Sequence, residues 1–252
     1  MIDLGLLRRL ENTFYGDFCD VDRRPYGLLY HCVDNPLSHD SNHGVILDLE
    51  GDLDAAVRDV TAFYTGRGLE PRLYASFARD ETARLRPLLE RQGYTFREEH
   101  VRWFILGEEA FAPRRPLPGN LEVRRVRALS RGLRELIHSD GPAPWTEKVL
   151  RRHLAADSLH LLVGYSGGLP VTMGAIKVMD GLSRVDDILT HPLHRRRGYA
   201  RALMRYLVDY HRRVSHQPLY LYAESPGAIR IYREVGFEEH PLPVDQWQAW
   251  KP

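Results

Sequence analysis

The stretch HRRRGYARAL, residues 194–203, decides how the chain is read. It sets three arginines against a glycine and then opens a helix. A helix start already carries a partial positive charge and unpaired N–H groups, so adding Arg195, Arg196 and Arg197 is unfavourable unless an anion arrives. A phosphate resolves that conflict. Upstream, the strand SRVDDILT ends at Thr190 and Pro192 stops its pairing, so a short loop delivers Arg195 to Gly198 at the helix entrance. Gly198 suits a loop whose backbone N–H groups face an anion, because a Cβ obstructs such conformations, and Ala200 adds little bulk beside it. Leu203, Tyr206, Leu207 and Tyr210 recur at three- and four-residue spacing, a stripe that packs on a sheet. That stripe is core.

The formal net charge of the 252 residues is only +1, so the anion site must be local rather than part of a broad basic footprint. Nucleic acid is therefore not an expected partner, and aromatic residues do not interleave the basic helix. A hydrophobic content of 43% supplies material for real cores. No run approaches the roughly 18 apolar residues that span a bilayer, and MIDLGLLRRLENTF has no apolar core of signal-peptide length. No membrane partner is expected, and cytoplasm is the expected location. Cys19 and Cys32 lack CxxC spacing and a histidine cluster, so they read as ordinary interior or edge residues and no metal is expected.

The segment GEEAFAPRRPLPGN, residues 107–120, has the composition of an inter-domain connection and divides the chain into 1–115 and 116–252, with the seam near Pro116. Before it, YGLLYHCV, HGVILDL and PRLYASF read as strands, while DLDAAVRDVTAFYTGRG and DETARLRPLLERQGY read as helices. After it come the strand LEVRRV, two helical stretches near Arg131–Ser139 and Trp145–Asp157, and three strands, HLLVGY, PVTMGAIKVM and SRVDDILT, the first two joined by a hairpin turn at Ser166 to Leu169. The helix from Gly198 to about Val214 precedes PLYLYA, a helix near Pro226–Glu234, and GFEEH with QWQAWK as closing strands. Strand, long helix, strand implies a parallel crossover, which brings a helix start beside the carboxyl end of a strand. The fold class is α/β (α+β), a mixed sheet flanked by helices.

Arg195-x-x-Gly198-x-Ala200, preceded by Ile188-Leu189-Thr190, resembles the acyl-CoA-binding motif of the GCN5-related N-acetyltransferase (GNAT) family. AIRIYREVGF, residues 228–237, is similar to that family's second signature, a short helix with Ala-x-x-x-Tyr closing on Gly-Phe. The resemblance covers about residues 121–252 and implies the GNAT fold with acetyl-CoA as co-substrate. It implies that the backbone N–H groups of Arg196, Arg197, Gly198, Tyr199, Ala200 and Arg201 hold the pyrophosphate, with the arginine side chains, Arg195 included, adding charge-assisted bonds. The edge Ile188, Leu189 and Thr190 would pair with the pantetheine amides like an added strand. The strands SRVDDILT and PLYLYA would diverge around the thioester. Ser225, where many relatives carry asparagine, is expected to cap the next helix or touch the cofactor, the cap being the safer reading, and Ala228 opens the second signature.

By the same resemblance, Tyr232 protonates the departing thiolate, a step typically worth roughly 100- to 10,000-fold in rate. The acceptor is expected to be a primary amine of a small molecule, which must lose a proton before it attacks. Asp186 is the first candidate base, since period-two alternation would put it on one face with Ile188; Glu224 is the second. Where several relatives place a basic glutamate, this chain has Arg184. Asp187 reads as a structural contact on the opposite face, and His191, His194 and His216 as surface residues. ARLRPLLERQGYTFREEHVRWFIL, residues 83–106, echoes AIRIYREVGFEEH without an Arg-x-x-Gly-x-Ala loop, so the first half reads as a smaller, degenerate GNAT-like domain that does not bind cofactor. Its expected role is to cover the acceptor pocket, with the polar loop NPLSHDSNHG (35–44) within reach, or to supply a homodimer surface. Two readings compete with a small-molecule acetyltransferase: an acyl-CoA-binding regulatory module without turnover, and an acetyltransferase acting on a protein amine.

Overall fold

Short-range chemistry sets where the elements begin and end. Asp52 and Ser130 cap the helices that follow them through bonds to Ala55 N and Leu133 N. Gly167 and Gly168, at φ +58° and +80°, make the tight hairpin turn foreseen at Ser166 to Leu169. The computed structural model describes residues 2–107 and 121–252. In chain order these form α1 (Leu4–Thr13), β1 (Asp20–Arg24), β2 (Gly27–His31), β3 (His43–Ile46), α2 (Leu53–Thr65), β4 (Arg72–Tyr74), α3 (Glu81–Arg91), β5 (Thr95–Glu98) and β6 (Arg102–Leu106). The rest are β7 (Glu122–Val126), α4 (Arg131–Ile137), α5 (Pro144–His153), β8 (Leu159–Ser166), β9 (Leu169–Val178), β10 (Ser183–Thr190), α6 (Tyr199–Val214), β11 (Leu219–Ala223), α7 (Pro226–Glu234), β12 (Phe237–Glu239) and β13 (Trp247–Trp250).

Two mixed sheets result. The first runs β1-β2-β3-β4-β13-β5 and the second β7-β8-β9-β10-β11-β6-β12. Both follow one plan. In each, an antiparallel run reaches a strand that crosses over through a helix to a parallel neighbour: β3 through α2 to β4, and β10 through α6 to β11. An antiparallel strand then lies between that neighbour and the edge, and in both sheets it comes from the other half of the sequence. β13 pairs with β4 and β5, while β6 pairs with β11 and β12.

The compact units therefore run Met1–His100 with Leu242–Pro252, and Val101–Pro241. The seam read near Pro116 lies outside the described residues. One reading is corrected: QWQAWK does not close the second sheet but joins the first, while RWFIL lies in the second. Period-two apolar alternation marks a strand but carries no information about its partner, which is why the exchange was not legible. The helix α1 and strand β1 also went unread.

In the first unit, Val57, Val60 and Tyr64 of α2 and Leu85 and Leu89 of α3 are buried against Leu73 and Ala249. The second sheet is covered on both faces. Leu203, Leu207 and Val208 of α6 and Ile229 and Tyr232 of α7 pack with Val185 and Leu221 on one face. Leu133 and Leu136 of α4 and Leu150 of α5 pack with Leu161, Met173 and Ala175 on the other.

Candidate active site

The site is built where β10 leaves β11. β10 and β11 pair only at Ser183 with Leu219 and Arg184 with Tyr220, so the two strands separate before β10 ends. On its other side, Asp186 pairs with Ala175 but Leu189 pairs with Met173. One extra residue is thus inserted into β10, with Asp187 at φ +54°. Ile188 packs with the α6 face, as Val185 does, whereas Leu189 packs with the α4 and α5 face. Asp186 and Ile188 consequently do not share a face, which corrects the alternation argument. Gly174 makes room for this arrangement: a Cβ there would come within 2.4 Å of Ile188 Cδ1.

Beyond Thr190 a short turn, Pro192–His194, leads into the arginine loop. Arg196 and Gly198 both take left-handed backbone, φ +62° and +81°. Such backbone in a non-glycine residue is uncommon and concentrates at ligand-binding and active sites. Gly198 is the N-cap of α6 and no side chain caps that end. Ala202 N–H donates to Gly198 O, so the N–H groups of Tyr199, Ala200 and Arg201 precede the first bond of the helical ladder and are available to an external acceptor.

This helix start opens on a cleft of about 910 Å³. Ile188, Leu189, Thr190, Arg195, Arg196, Gly198, Tyr199, Ala200, Arg201, Ser225, Ala228 and Tyr232 all line it. Arg197, Asp186 and Glu224 are not among its lining residues. Arg195 is held on two sides: its Nε donates to Thr190 O at 3.2 Å and its guanidinium to Asp140 Oδ2 at 2.6 Å. Arg201 forms an ion pair with Glu234 of α7. Ser225 occupies the N-cap of α7 without a capping bond, so the expected cap is not formed, and the residue lines the cleft.

Tyr232 reaches the cleft from a nearly closed setting, 8% exposed. Burial, with the Asp186 carboxylate adding to it, pushes its phenol up to about 12, so the phenol is protonated at neutral pH. Asp186 Oδ1 accepts from Asp187 N–H at 3.0 Å and Oδ2 lies 3.2 Å from Arg184. Arg184 is buried and stacks over Tyr222 at 4.8 Å. Glu224 is exposed beyond the end of β11. His191 Nδ1 accepts from Leu193 N–H, while His194 lines the cleft, with burial and then Arg197 lowering its pKa.

Sequence reading missed Asp140, Met204, Gly227, Arg230 and Ile231, which also line the cleft. Gly227, Arg230 and Ile231 share the helical spacing of Ala228 and Tyr232, a signal that could have found them. Asp140 comes from the connection between α4 and α5 and carries no local mark. Among the described residues no group of three or more His, Cys, Asp or Glu could hold a metal ion.

The family model described as "Acetyltransferase (GNAT) family" matches residues 130–237, which contain the splayed strands, the arginine loop and Tyr232. These residues are a GNAT-family domain. No curated protein matches the chain. Among solved structures, a GCN5-related N-acetyltransferase from Kribbella flavida is similar in fold at TM-score 0.67 and 17% identity, covering 100% of this chain and 96% of that one. A conserved protein of unknown function from Staphylococcus epidermidis gives TM-score 0.61 and 14% identity, covering 92% and 94%. A GCN5-related N-acetyltransferase from Sphaerobacter thermophilus gives 0.55 and 17%, covering 92% and 75%. At these identities the likeness is one of fold, and it extends over both GNAT-like sheets. The GNAT domain supports acyl transfer, and acetyl-CoA is the family's co-substrate.

Proposed function

We propose that the chain is an N-acyltransferase that moves an acetyl group from acetyl-CoA to a primary amine of a small molecule. The observation that carries this reading is that one cleft is lined both by the uncapped start of α6 and by Tyr232, a phenol that keeps its proton at neutral pH. The donor set suits a diphosphate: backbone N–H groups aimed one way, glycine at the cap, and arginine side chains beside them.

Acetyl-CoA supplies an acetyl group activated as a thioester. The loop from Arg196 to Arg201 binds its diphosphate, and the free edge of β10 at Ile188 to Thr190 offers backbone groups to an amide arm. The separation of β10 from β11 leaves space for the reacting carbon between the strands. Tyr232 donates its proton to the departing sulfur. The burial that raises the phenol also raises a thiol beside it, so transfer between the two is not opposed by the elevation. Asp186, through its field on Tyr232, keeps that proton in place. Neither Asp186 nor Glu224 lines the cleft, so removal of the amine's proton is assigned to one of them acting through water.

Release of free thiol from acetyl-CoA across a panel of amines tests this reading. Turnover with a small amine supports it. Cofactor binding without turnover on any amine would favour the regulatory module, and turnover only on protein amines would move the acceptor to that class.

A further inference from the structure

A second cavity of about 410 Å³ adjoins the cleft along α7, lined by Arg102, Pro226, Ile229, Arg230, Arg233 and Glu234. Arg230 lines both spaces. The neighbouring cations are already committed. Arg102 and Arg233 share the Glu239 carboxylate, with Arg102 Nε at 2.6 Å and Arg233 at 2.7 Å, and they hold it down to about 2. Arg201 takes Glu234. Arg230 is exposed and forms no ion pair among the described residues. Three guanidiniums therefore line this cavity beside one carboxylate, Glu234, which Arg201 already holds, and the uncommitted guanidinium stands at the junction with the cleft.

We infer that this cavity binds a phosphomonoester through Arg230, and that the phosphate belongs to the nucleotide end of the acyl-CoA held in the cleft. A dianion with three acceptor oxygens can engage Arg230 and still approach Arg102 or Arg233, whereas a single carboxylate at so open a site competes poorly with water. Coenzyme A carries such a group, a 3′-phosphate on the ribose next to its diphosphate. The inference rests on the cofactor assignment above. A separate phosphorylated molecule would present the same chemistry.

Calorimetric titration of coenzyme A and of 3′-dephospho-coenzyme A into the wild type and Arg230→Gln separates these cases. The wild type is expected to bind coenzyme A about tenfold tighter than the dephospho form, the scale of one charge-assisted phosphate contact. Arg230→Gln should erase that ratio and leave dephospho affinity unchanged. A third titration adds inorganic phosphate to protein saturated with dephospho-coenzyme A. Phosphate uptake lost in Arg230→Gln, with no ratio between the two nucleotides, would keep the phosphate site but assign it to a separate ligand. Equal affinities with no phosphate uptake would overturn the inference while leaving the cofactor assignment intact. Failure of both nucleotides to bind would instead sink that assignment and the inference with it.

Discussion

Asp186 and Ile188 stand two residues apart on β10 yet face opposite sides of the sheet, because the backbone between them takes the left-handed turn at Asp187. The bulge sends Ile188 towards α6 and leaves Asp186 with Arg184, on the side of α5. Asp186 thus acts on Tyr232 by its field. Asp186→Asn should lower the apparent pKa assigned to Tyr232 in the pH–rate profile of thiol release, and Glu224→Gln should leave that limb in place. If instead only Glu224→Gln removes the low-pH limb of the profile, Glu224 is the base and Asp186 serves Tyr232 alone.

Tyr232→Phe removes a proton donor and little volume. We expect turnover to fall by roughly 100- to 10,000-fold while the dissociation constant for coenzyme A changes little. Steady-state kinetics with calorimetry distinguishes the two quantities. Unchanged turnover would take Tyr232 out of the chemistry.

Glu81 introduces a pH dependence in the first unit. Burial raises its carboxyl from 4.5 to about 7, against the opposing bonds from Ser76 N–H and Oγ–H. The unfolded chain releases this proton near 4.5 and the folded one holds it until about 7, so the folded state binds more protons between those values. Its contribution therefore falls as pH rises through that window, by about 3 kcal/mol in all. Glu81→Gln mimics the protonated group. Urea denaturation should show it more stable than the wild type at pH 8, with the gap closing towards pH 4.5; parallel pH curves would contradict the assignment.

Trp247 tests the strand exchange. It is buried, stacks on Phe96 at 5.0 Å, and belongs to β13, which joins β4 to β5. Trp247→Ala should cost about 3–5 kcal/mol. Hydrogen exchange should then speed up in Arg72–Tyr74 and Thr95–Glu98. Loss of protection confined to β11 and β12 would mean that β13 serves the other sheet.

Much of this was written locally. The arginine loop, the hairpin glycines and the α7 signature each depend on a few adjacent residues whose backbone or spacing is diagnostic, and almost every residue that the resemblance would set against a cofactor lines the cleft. Three features were not legible, for one reason. The bulge at Asp187 shifts every later side chain on β10, β13 finds partners some 150 residues away, and Asp140 meets Arg195 across the cleft. Each is fixed by packing between distant segments, which periodicity along one segment does not encode.

The central claim is that the start of α6 receives a diphosphate. Gly198 holds φ +81°, a conformation that a β-branched residue adopts only under strain, and valine there would disturb the amides that follow. Calorimetric titration of coenzyme A into the wild type and Gly198→Val should show a dissociation constant raised at least about tenfold in the variant, the loss of roughly one such contact. An unaltered constant, in a variant that remains folded by circular dichroism, would contradict the claim.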